Sequence, residues 1–201
     1  MSTTPAPSGR RERNKQQKLD RITAAARELF AEYSVEDVTT QQIAEKADIG
    51  TGTLFLYVKS KGELLLLIQN SLYAEALARG RASADKAENA LEAVLAIIRP
   101  VVECNRVHTG NGRTYLREMV FGDPEEPRHA EALAIVGQTE QAVAEVLQRN
   151  GFRDSDNAAT LARITSALMF MSMAASVNAG HDAEQVLADI RDQLAVVLAR
   201  R

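Results

Sequence analysis

The stretch that most constrains the fold of this chain runs from Thr39 to Lys61, where a turn of three residues separates two short helical patterns. The first pattern opens on Thr39-x-x-Gln42, a capping box in which each side chain satisfies a free backbone N–H of the first turn. It stops at Asp48-Ile49-Gly50, because Asp tolerates a left-handed backbone and Gly enters the next helix without steric cost. So short a turn forces a sharp change of direction, and the stretch predicts a helix-turn-helix.

The second short helix is predicted over residues 51–57, with Leu54 and Val58 facing inward. The outward positions are Thr51, Gly52, Thr53 and Tyr57. Small polar residues at the start of an exposed helix suit close approach to a groove of nucleic acid. After it, Ser60-x-x-Glu63 forms a second capping box that opens a long apolar helix.

The same region carries a family resemblance, which covers about the first third of the chain. Its residues are Ile22, Ala25, Ala26, Leu29, Phe30, Thr39, Ile43, Ala44, Ala47, Gly52, Thr53, Leu54, Tyr57, Ser60, Lys61, Leu64 and Leu65. They closely resemble the N-terminal domain of TetR-family (tetracycline-repressor-like) transcriptional regulators. The resemblance implies an all-α fold, with an N-terminal three-helix helix-turn-helix domain and a larger C-terminal helical domain for ligand binding and dimerisation.

The chain departs from the usual family pattern in two places. Ser34, Asp48 and Gly50 stand where the family usually has Gly, Gly, and Ser or Thr, and none of them conflicts with the fold. Phe55, Leu56 and Val58 replace the common pattern of Tyr, any residue, Phe. We expect Leu56 to alter which base edge is touched, so the operator sequence cannot be taken from a relative.

The net charge of -3 conceals an asymmetry that suits a DNA-binding protein. Residues 1–61 carry ten basic and eight acidic side chains, net +2, whereas the remainder carries 14 and 19, net -5. The segment from Arg10 to Arg21 holds six basic residues against Glu12 and Asp20. A basic run leading into a helix is typical of phosphate contact, and a solvated tail is the alternative.

The rest of the chain is predicted to be helical, with three domains in all. Residues 1–9 are expected to be a disordered tail, 10–62 the DNA-binding domain, and 63–201 the ligand-binding and dimerisation domain. Apolar periodicity and breakers predict helices over about 11–33, 60–82, 85–107, 114–121, 128–150, 155–178 and from 182 to the C-terminus. Within these, Asp85-x-x-Glu88 is interpreted as a capping box, and residues 108–112 as a break.

The last two predicted helices carry more apolar surface than a small domain hides, which indicates a homodimer through a four-helix contact. The alternative is that both helices complete the core of a monomer. No apolar run has the length of a membrane span and no signal peptide is present, so we expect a cytoplasmic protein without membrane contact. Cys104 is the only cysteine, which excludes an intrachain disulfide.

A ligand pocket is predicted between the middle helices, because Met and aromatic side chains adapt to apolar ligands. In the family's arrangement its candidate residues are Cys104, Tyr115, Arg117, Met119, Phe121, Met169, Phe170 and Met173, with Arg117 fixing an anionic end. The alternative is that these side chains belong to the hydrophobic core and bind no ligand. We predict a small, largely apolar effector and no cofactor.

An enzyme or metal site is weakly supported. Glu126-x-x-His129 has the spacing of half a di-metal site, but no second copy occurs. His108 and His181 lie beside glycine in predicted loops, and Cys104 fits a small buried hydrophobe better than a reactive thiol. We therefore expect no catalytic residue and no metal ligand.

The resemblance implies a ligand-responsive regulator that binds a palindromic operator as a homodimer and is released by its effector. We expect this regulator to be a repressor. The residues assigned to DNA contact are Arg10, Arg11, Arg13, Thr40, Gln41, Thr51, Gly52, Thr53, Tyr57 and Lys61. Small residues of the second short helix would approach bases in the major groove, and Tyr57 and Lys61 would anchor the backbone.

Overall fold

A computed structural model describes residues 9–123, 125–152 and 155–199 of the chain. Within these ranges the chain forms nine α-helices, one 3-10 turn and no β-strand, so the predicted all-α fold is confirmed. The helices are α1 (Arg10–Glu32), α2 (Thr40–Lys46), α3 (Thr51–Leu54), α4 (Lys61–Ala84), α5 (Ala90–Arg106), α6 (Thr109–Phe121), α7 (Pro127–Arg149), α8 (Ser155–Ala174) and α9 (Ala183–Val197). Among the described helices, none is both long and apolar enough to cross a bilayer.

The chain divides into two compact units, Met1–Leu64 and Leu65–Arg201, and the boundary lies within α4. Of the predicted disordered tail, only Gly9 falls within the described residues, and it immediately precedes α1. The first unit therefore contains the helix-turn-helix, and the second contains the predicted ligand-binding helices.

The first unit is built around one side of α1. Ile22 and Phe30 of α1, Ile43 of α2 and Leu54 of α3 all have 5% or less of their surface exposed, and α2 packs against both α1 and α3. Burial of each such side chain contributes about 1.5–3 kcal/mol relative to exposure. Since α2 and α3 supply only a few apolar residues each, their relative orientation depends on this shared core.

In the second unit α5 lies at the centre of the packing. It contacts α6, α7, α8 and α9, and α7 and α8 also pack against each other. Val94, Ile97, Ile98 and Val102 of α5 are fully buried, as the apolar periodicity predicts. Pro100 lies inside the helix, as expected, and is half-buried.

The predicted start of α5 is wrong. Asp85 and Glu88 do not cap it, because the helix begins at Ala90 and Asn89 is its N-cap, accepting from the Glu92 N–H at 3.0 Å. Asp85 instead lies 2.8 Å from the Arg149 guanidinium of α7. Asn89, four residues after Asp85, is an equally good cap, so the sequence pattern alone could not choose between them.

The predicted break at residues 108–112 is too long, because the chain leaves the helical conformation only at Val107 and His108, between α5 and α6. His108 acts as the N-cap of α6, where its Nδ1 accepts from the Asn111 N–H at 3.1 Å, and both glycines lie inside the first turns of the helix. Gly112 is required by packing: a Cβ there would lie 2.3 Å from the backbone oxygen of Asn105. This glycine permits the close approach of α6 to α5.

Three further helix ends differ from prediction. Helix α3 ends at Leu54 rather than Tyr57, because Leu56 and Tyr57 donate to carbonyls three residues back and so form tight turns. Helix α8 ends at Ala174, before a 3-10 turn over Ser176–Asn178, and α9 ends at Val197. The capping boxes at Thr39 and Asp182 are confirmed.

At the start of α4 the capping box is incomplete. The Ser60 hydroxyl accepts from the Glu63 N–H at 3.0 Å, but the Glu63 carboxylate accepts from the Lys59 N–H at 2.6 Å instead of from Ser60.

Candidate nucleic-acid interface and ligand cavity

The turn between α2 and α3 is fixed by the backbone of Asp48. Its φ of 52° lies in the left-handed region, as the sequence predicts for the residue that replaces the usual glycine. The Arg21 guanidinium of α1 holds it there, since Nη2 donates to the Asp48 carbonyl at 2.6 Å. This contact ties the turn to α1 and so sets the direction in which α3 leaves it.

The residues of α2 and α3 that are predicted to meet DNA differ in exposure. Thr51, Gly52 and Gln41 are exposed, whereas Thr40, Thr53 and Tyr57 are half-buried at its edge. Gln41 donates to the Glu45 carboxylate at 2.8 Å. Leu54 and Val58 point inward, as predicted, with 1% and 5% exposed. The start of α3 therefore presents small side chains to solvent.

Two apolar side chains follow α3 on the surface. Phe55 is 53% exposed and Leu56 is 80% exposed. Large apolar groups in such positions can contact the methyl groups of thymine in a major groove. Both residues depart from the usual family pattern, and neither is among the predicted DNA contacts, although Leu56 is expected to alter which base edge is touched.

The predicted phosphate contacts differ in their surroundings. Arg13 is exposed on α1, while the side chains of Arg10 and Arg11 lie outside the described residues. Lys61 is more constrained, because its Nζ donates to the carbonyls of Glu36 and Val38 at 2.9 and 2.8 Å. Two of its three N–H donors thus hold the loop before α2. The third N–H donor remains available, and the ammonium group keeps its full positive charge.

The second unit encloses an apolar cavity of about 330 Å³ between α5, α6, α7 and α8. Five of the predicted ligand residues line it, namely Tyr115, Met119, Met169, Phe170 and Met173. The volume lies within the range of small-molecule sites, and the lining is almost entirely apolar. These side chains are thus both core and cavity wall, so the two alternatives considered for them are not exclusive.

Three other predicted ligand residues do not line this cavity. Arg117 and Phe121 lie on a separate depression between α6 and α8, where Phe121 is 79% exposed. Cys104 is half-buried on α5 and lines neither. Helical periodicity explains the difference, since Arg117 and Phe121 are four apart on one face of α6 whereas Tyr115 and Met119 are four apart on another.

Sequence analysis missed the polar residues of the cavity. Thr139 and Glu140 from α7 and Arg163 and Ser166 from α8 line it. Each is a polar residue within a helix, and the sequence pattern predicts such a residue to face solvent. No local pattern therefore distinguishes it from an ordinary surface residue. Glu140 and Arg163 carry opposite charges, so the cavity has no strong net charge.

A buried polar network supports one wall of the cavity. The rings of Tyr73 and Tyr115 lie 4.8 Å apart between centroids. Tyr115 donates its hydroxyl to the Asn70 side-chain oxygen at 2.8 Å, and Tyr73 accepts from the Asn105 amide at 2.8 Å. Burial raises the pKa of both tyrosines well above their usual range, so both hydroxyls are neutral near pH 7.

These raised pKa values predict a loss of stability in alkali. A tyrosine whose pKa is higher in the folded than in the unfolded state stabilises the protein fully below about pH 10, and this contribution is lost as the pH rises through the folded pKa. We expect the melting temperature to fall steeply between about pH 10 and 12. Melting curves followed by circular dichroism would measure it.

The matched variants are Tyr73→Phe and, on the exposed surface, Tyr33→Phe. Each is compared with its own melting temperature at neutral pH, so that the cost of the lost hydroxyl cancels. Tyr73→Phe should show a smaller alkaline decrease than the unmodified chain, and Tyr33→Phe the full one. An identical decrease in both variants would contradict the role of the buried pair.

The residues considered for metal chemistry have structural roles. Glu126 is the N-cap of α7, where its carboxylate accepts from the His129 N–H at 2.9 Å. The His129 ring is 4% exposed, and its nitrogens have no hydrogen-bond partner among the described residues. In the described part of the chain, no group of three or more His, Cys, Asp or Glu side chains is arranged to hold a metal ion.

Comparison with known proteins agrees with this geometry. Residues 22–68 match the family model for bacterial regulatory proteins of the tetR family. That segment contains most of α1, all of α2 and α3, and the start of α4. No curated protein sequence is similar enough to count as a match.

Solved structures share the fold over nearly the whole chain. A TetR transcriptional regulator from Rhodococcus sp. RHA1 is 17% identical, with a TM-score of 0.65 over 93% of this chain and 98% of that one. The TetR-family repressor FadR of Thermus thermophilus, in complex with lauroyl-CoA, is 24% identical with a TM-score of 0.64 over 90% and 96%. The fatty acid degradation regulator FadR of Bacillus halodurans is 14% identical with a TM-score of 0.65 over 99% and 100%.

The family match lies on the helix-turn-helix, and the structural likeness extends through the cavity-bearing helices. Residues 22–68 of this chain therefore match the tetR family of bacterial regulatory proteins, and the chain as a whole has the fold of the solved TetR-family structures.

Proposed function

We propose that this chain is a ligand-responsive transcriptional repressor that binds a palindromic operator as a homodimer and is released by a small molecule. The observation that carries the proposal is the presence, on one chain, of an outward-facing helix-turn-helix and an apolar cavity of about 330 Å³. A regulator of this kind acts in the cytoplasm, where bacterial DNA lies.

For DNA contact, the proposal uses the face formed by α2 and α3. Thr51, Gly52 and Thr53 would approach base edges in the major groove, and Thr40 and Gln41 the adjacent phosphates. Arg10, Arg11 and Arg13 would contribute salt-dependent affinity, with Tyr57 and Lys61 on the DNA backbone.

For dimerisation, the proposal uses the outer faces of the last two helices. Met171 of α8 and Val196 of α9 are 60% and 78% exposed, although α8 and α9 also bury other residues in the unit's own core. Exposed apolar groups on neighbouring helices are typical of a surface that a second copy covers. In such a dimer each α3 would read one half-site, so the half-sites would lie one or more helical turns apart.

For the effector, the proposal uses the apolar cavity of the second unit. The Thermus thermophilus FadR structure contains lauroyl-CoA, which supports an effector with a substantial apolar part. An effector that prefers a conformer in which the two α3 helices no longer match the half-site spacing would release the DNA. By linkage, operator DNA would weaken effector binding by the same factor.

The direct test is selection of DNA fragments by the purified protein. Fragments from its own genomic neighbourhood are mixed with random DNA of equal length at about 150 mM salt, close to physiological ionic strength. We expect one or a few fragments containing an inverted repeat to be retained. If all fragments are retained equally, or none is, the repressor proposal fails. Turnover of a small molecule without DNA binding would favour the competing enzymatic class.

A separate prediction concerns Lys61. Lys61→Ala should weaken binding to all DNA sequences and lower the slope of log affinity against log salt by about one, since one phosphate contact is lost. It should also destabilise the first unit by about 1–2 kcal/mol, because two carbonyls lose their charged donor. Lys86→Ala, in the second unit, is the control. An unchanged salt slope would remove Lys61 from the phosphate contacts.

A further inference from the structure

A second depression, of about 410 Å³, lies beside the apolar cavity and has a different character. Helix α6 contributes Arg113, Thr114, Arg117 and Phe121, and α8 contributes Phe170 and Ala174. Arg113 and Arg117 are one helical turn apart, so their side chains are neighbours on one face. No carboxylate side chain lines the depression among the described residues. It therefore combines two guanidinium groups and a hydroxyl with two aromatic rings.

The positive charge at this depression is only partly compensated. Arg113 Nε donates to the Ala174 carbonyl at 3.1 Å, and Arg106 Nη2 donates to the Met173 carbonyl at 3.2 Å, so both cap the C-terminus of α8. The partial negative charge of a helix end is about half an elementary charge, less than either arginine carries. Arg117 has one acidic neighbour, Glu118, at 3.5 Å.

Arg106 lies close to Arg113 and is itself partly desolvated. Its Nε and Nη1 are buried and have no hydrogen-bond partner among the described residues. Burial, followed by the charge of Arg113, lowers the pKa of Arg106. An anion near Arg113 would oppose this repulsion. The local electrostatics thus favour a bound negative group at the mouth of the depression.

The depression and the apolar cavity share a wall. Phe170 lines both of them. On α6, Arg117 of the depression and Val120 of the cavity are three residues apart, which places their Cβ atoms about 5–6 Å from each other. Phe170 is therefore the side chain that the two spaces share. By contrast, the cavity's own charged residues, Glu140 and Arg163, have opposite signs and do not select an anion.

We propose that the effector is an amphipathic anion whose apolar part occupies the cavity and whose phosphate or carboxylate group binds Arg113, Arg117 and the Thr114 hydroxyl. The apolar part passes the ring of Phe170. The volume of about 330 Å³ lies within the range of small-molecule sites, and we therefore choose probes with a ten-carbon chain. This inference rests on the effector site of the proposed function and adds the second subsite and the chemical class.

The test measures binding of defined probes to the full-length protein by isothermal titration calorimetry, without DNA. The probes are decyl phosphate, decanoate, 1-decanol and inorganic phosphate, each below its micelle concentration. We expect decyl phosphate or decanoate to bind at least about tenfold more tightly than 1-decanol, because charge-assisted hydrogen bonds add to the shared apolar contact. The better of the two anions identifies the head group. Inorganic phosphate alone should bind more weakly than either.

The decisive variant is Arg117→Gln. It removes one guanidinium from an exposed side chain, so folding should be retained, and a melting curve verifies this. We expect the affinity for the anionic probe to fall roughly tenfold and that for 1-decanol to stay unchanged. Arg79→Gln, on the exposed side of α4 and lining neither space, is the matched control and should change neither affinity.

Three results would overturn the inference. They are equal affinities for decyl phosphate, decanoate and 1-decanol, an effect of Arg117→Gln no larger than that of Arg79→Gln, and loss of the anion preference in Arg163→Gln but not in Arg117→Gln. Absence of any probe binding would likewise reject this effector class while leaving operator binding intact. Conversely, Arg117-dependent binding by a protein that retains no operator fragment would support the subsite and reject the repressor.

Discussion

Replacing Gly52 with glutamate is expected to abolish operator binding while leaving the fold intact. Gly52 lies in α3 on the exposed face, and no atom outside its own helical backbone lies within 4 Å of where a Cβ would be, so a side chain fits without a clash. In the proposed complex, however, the new carboxylate would face base edges and phosphates. Like-charge juxtaposition of this kind costs several kcal/mol, so we expect the affinity to fall roughly 100-fold or more.

The matched control is Gly137→Glu. Gly137 is an exposed helical glycine of α7, also with nothing within 4 Å of a new Cβ, so the change in net charge and the change in helix are the same. Electrophoretic mobility shift assays with the selected fragment should show near-normal binding for this control. If both variants lose affinity equally, the effect is one of net charge, and α3 does not face the DNA.

Replacing Gly112 with alanine is expected to destabilise the protein strongly, although it adds only one methyl group. A Cβ at this position would lie 2.3 Å from the Asn105 backbone oxygen and 2.7 Å from its side-chain nitrogen. Overpacking against backbone costs about 3 kcal/mol, and the better helix propensity of alanine returns about 1 kcal/mol. The net destabilisation should be about 2 kcal/mol, or a fall in melting temperature of roughly 4–8 °C.

The control variant is expected to change the stability in the opposite direction. Gly137→Ala makes the same chemical change in α7 without a clash, so helix propensity alone should stabilise the protein by about 0.5–1 kcal/mol. Chemical denaturation would measure both variants. A Gly112→Ala protein as stable as Gly137→Ala would contradict the close packing of α6 on α5.

Gly112 also shows why part of the fold could not be predicted from sequence. Two glycines within five residues are typical of a loop, and nothing local distinguishes a glycine that ends a helix from one that admits a neighbouring helix. The contact that requires Gly112 involves Asn105 on another helix. The same holds for the start of α5, where tertiary packing selects Asn89 over Asp85 as the cap.

The helix-turn-helix, in contrast, was predictable because its determinants are local. Thr39, Asp48 and Gly50 act through capping and backbone conformation within a few residues, and the structure shows the expected capping box and left-handed turn. Local rules do not predict the contact of Arg21 with the turn. Arg21 lies 27 residues before Asp48, and no periodicity links the two residues.

The types of residue that line the ligand cavity could be predicted from sequence, but their positions in the chain could be predicted only in part. Met and aromatic residues such as Met119 and Met169 do line it, since adaptable apolar side chains gather where packing is incomplete. Arg117 was predicted to line the cavity and does not, whereas Arg163 lines it without having been predicted, because the face of a helix that meets a cavity depends on how neighbouring helices rotate. That rotation is a property of the whole core.

The most direct test of the central claim is a hydroxyl-radical footprint of the selected fragment with the unmodified protein and with Gly52→Glu. The account predicts two protected patches related by two-fold symmetry, with centres one or more helical turns of about 34–36 Å apart, and their loss in the variant. A single asymmetric patch, or the same protection by Gly52→Glu, would contradict a dimer that reads DNA through α3.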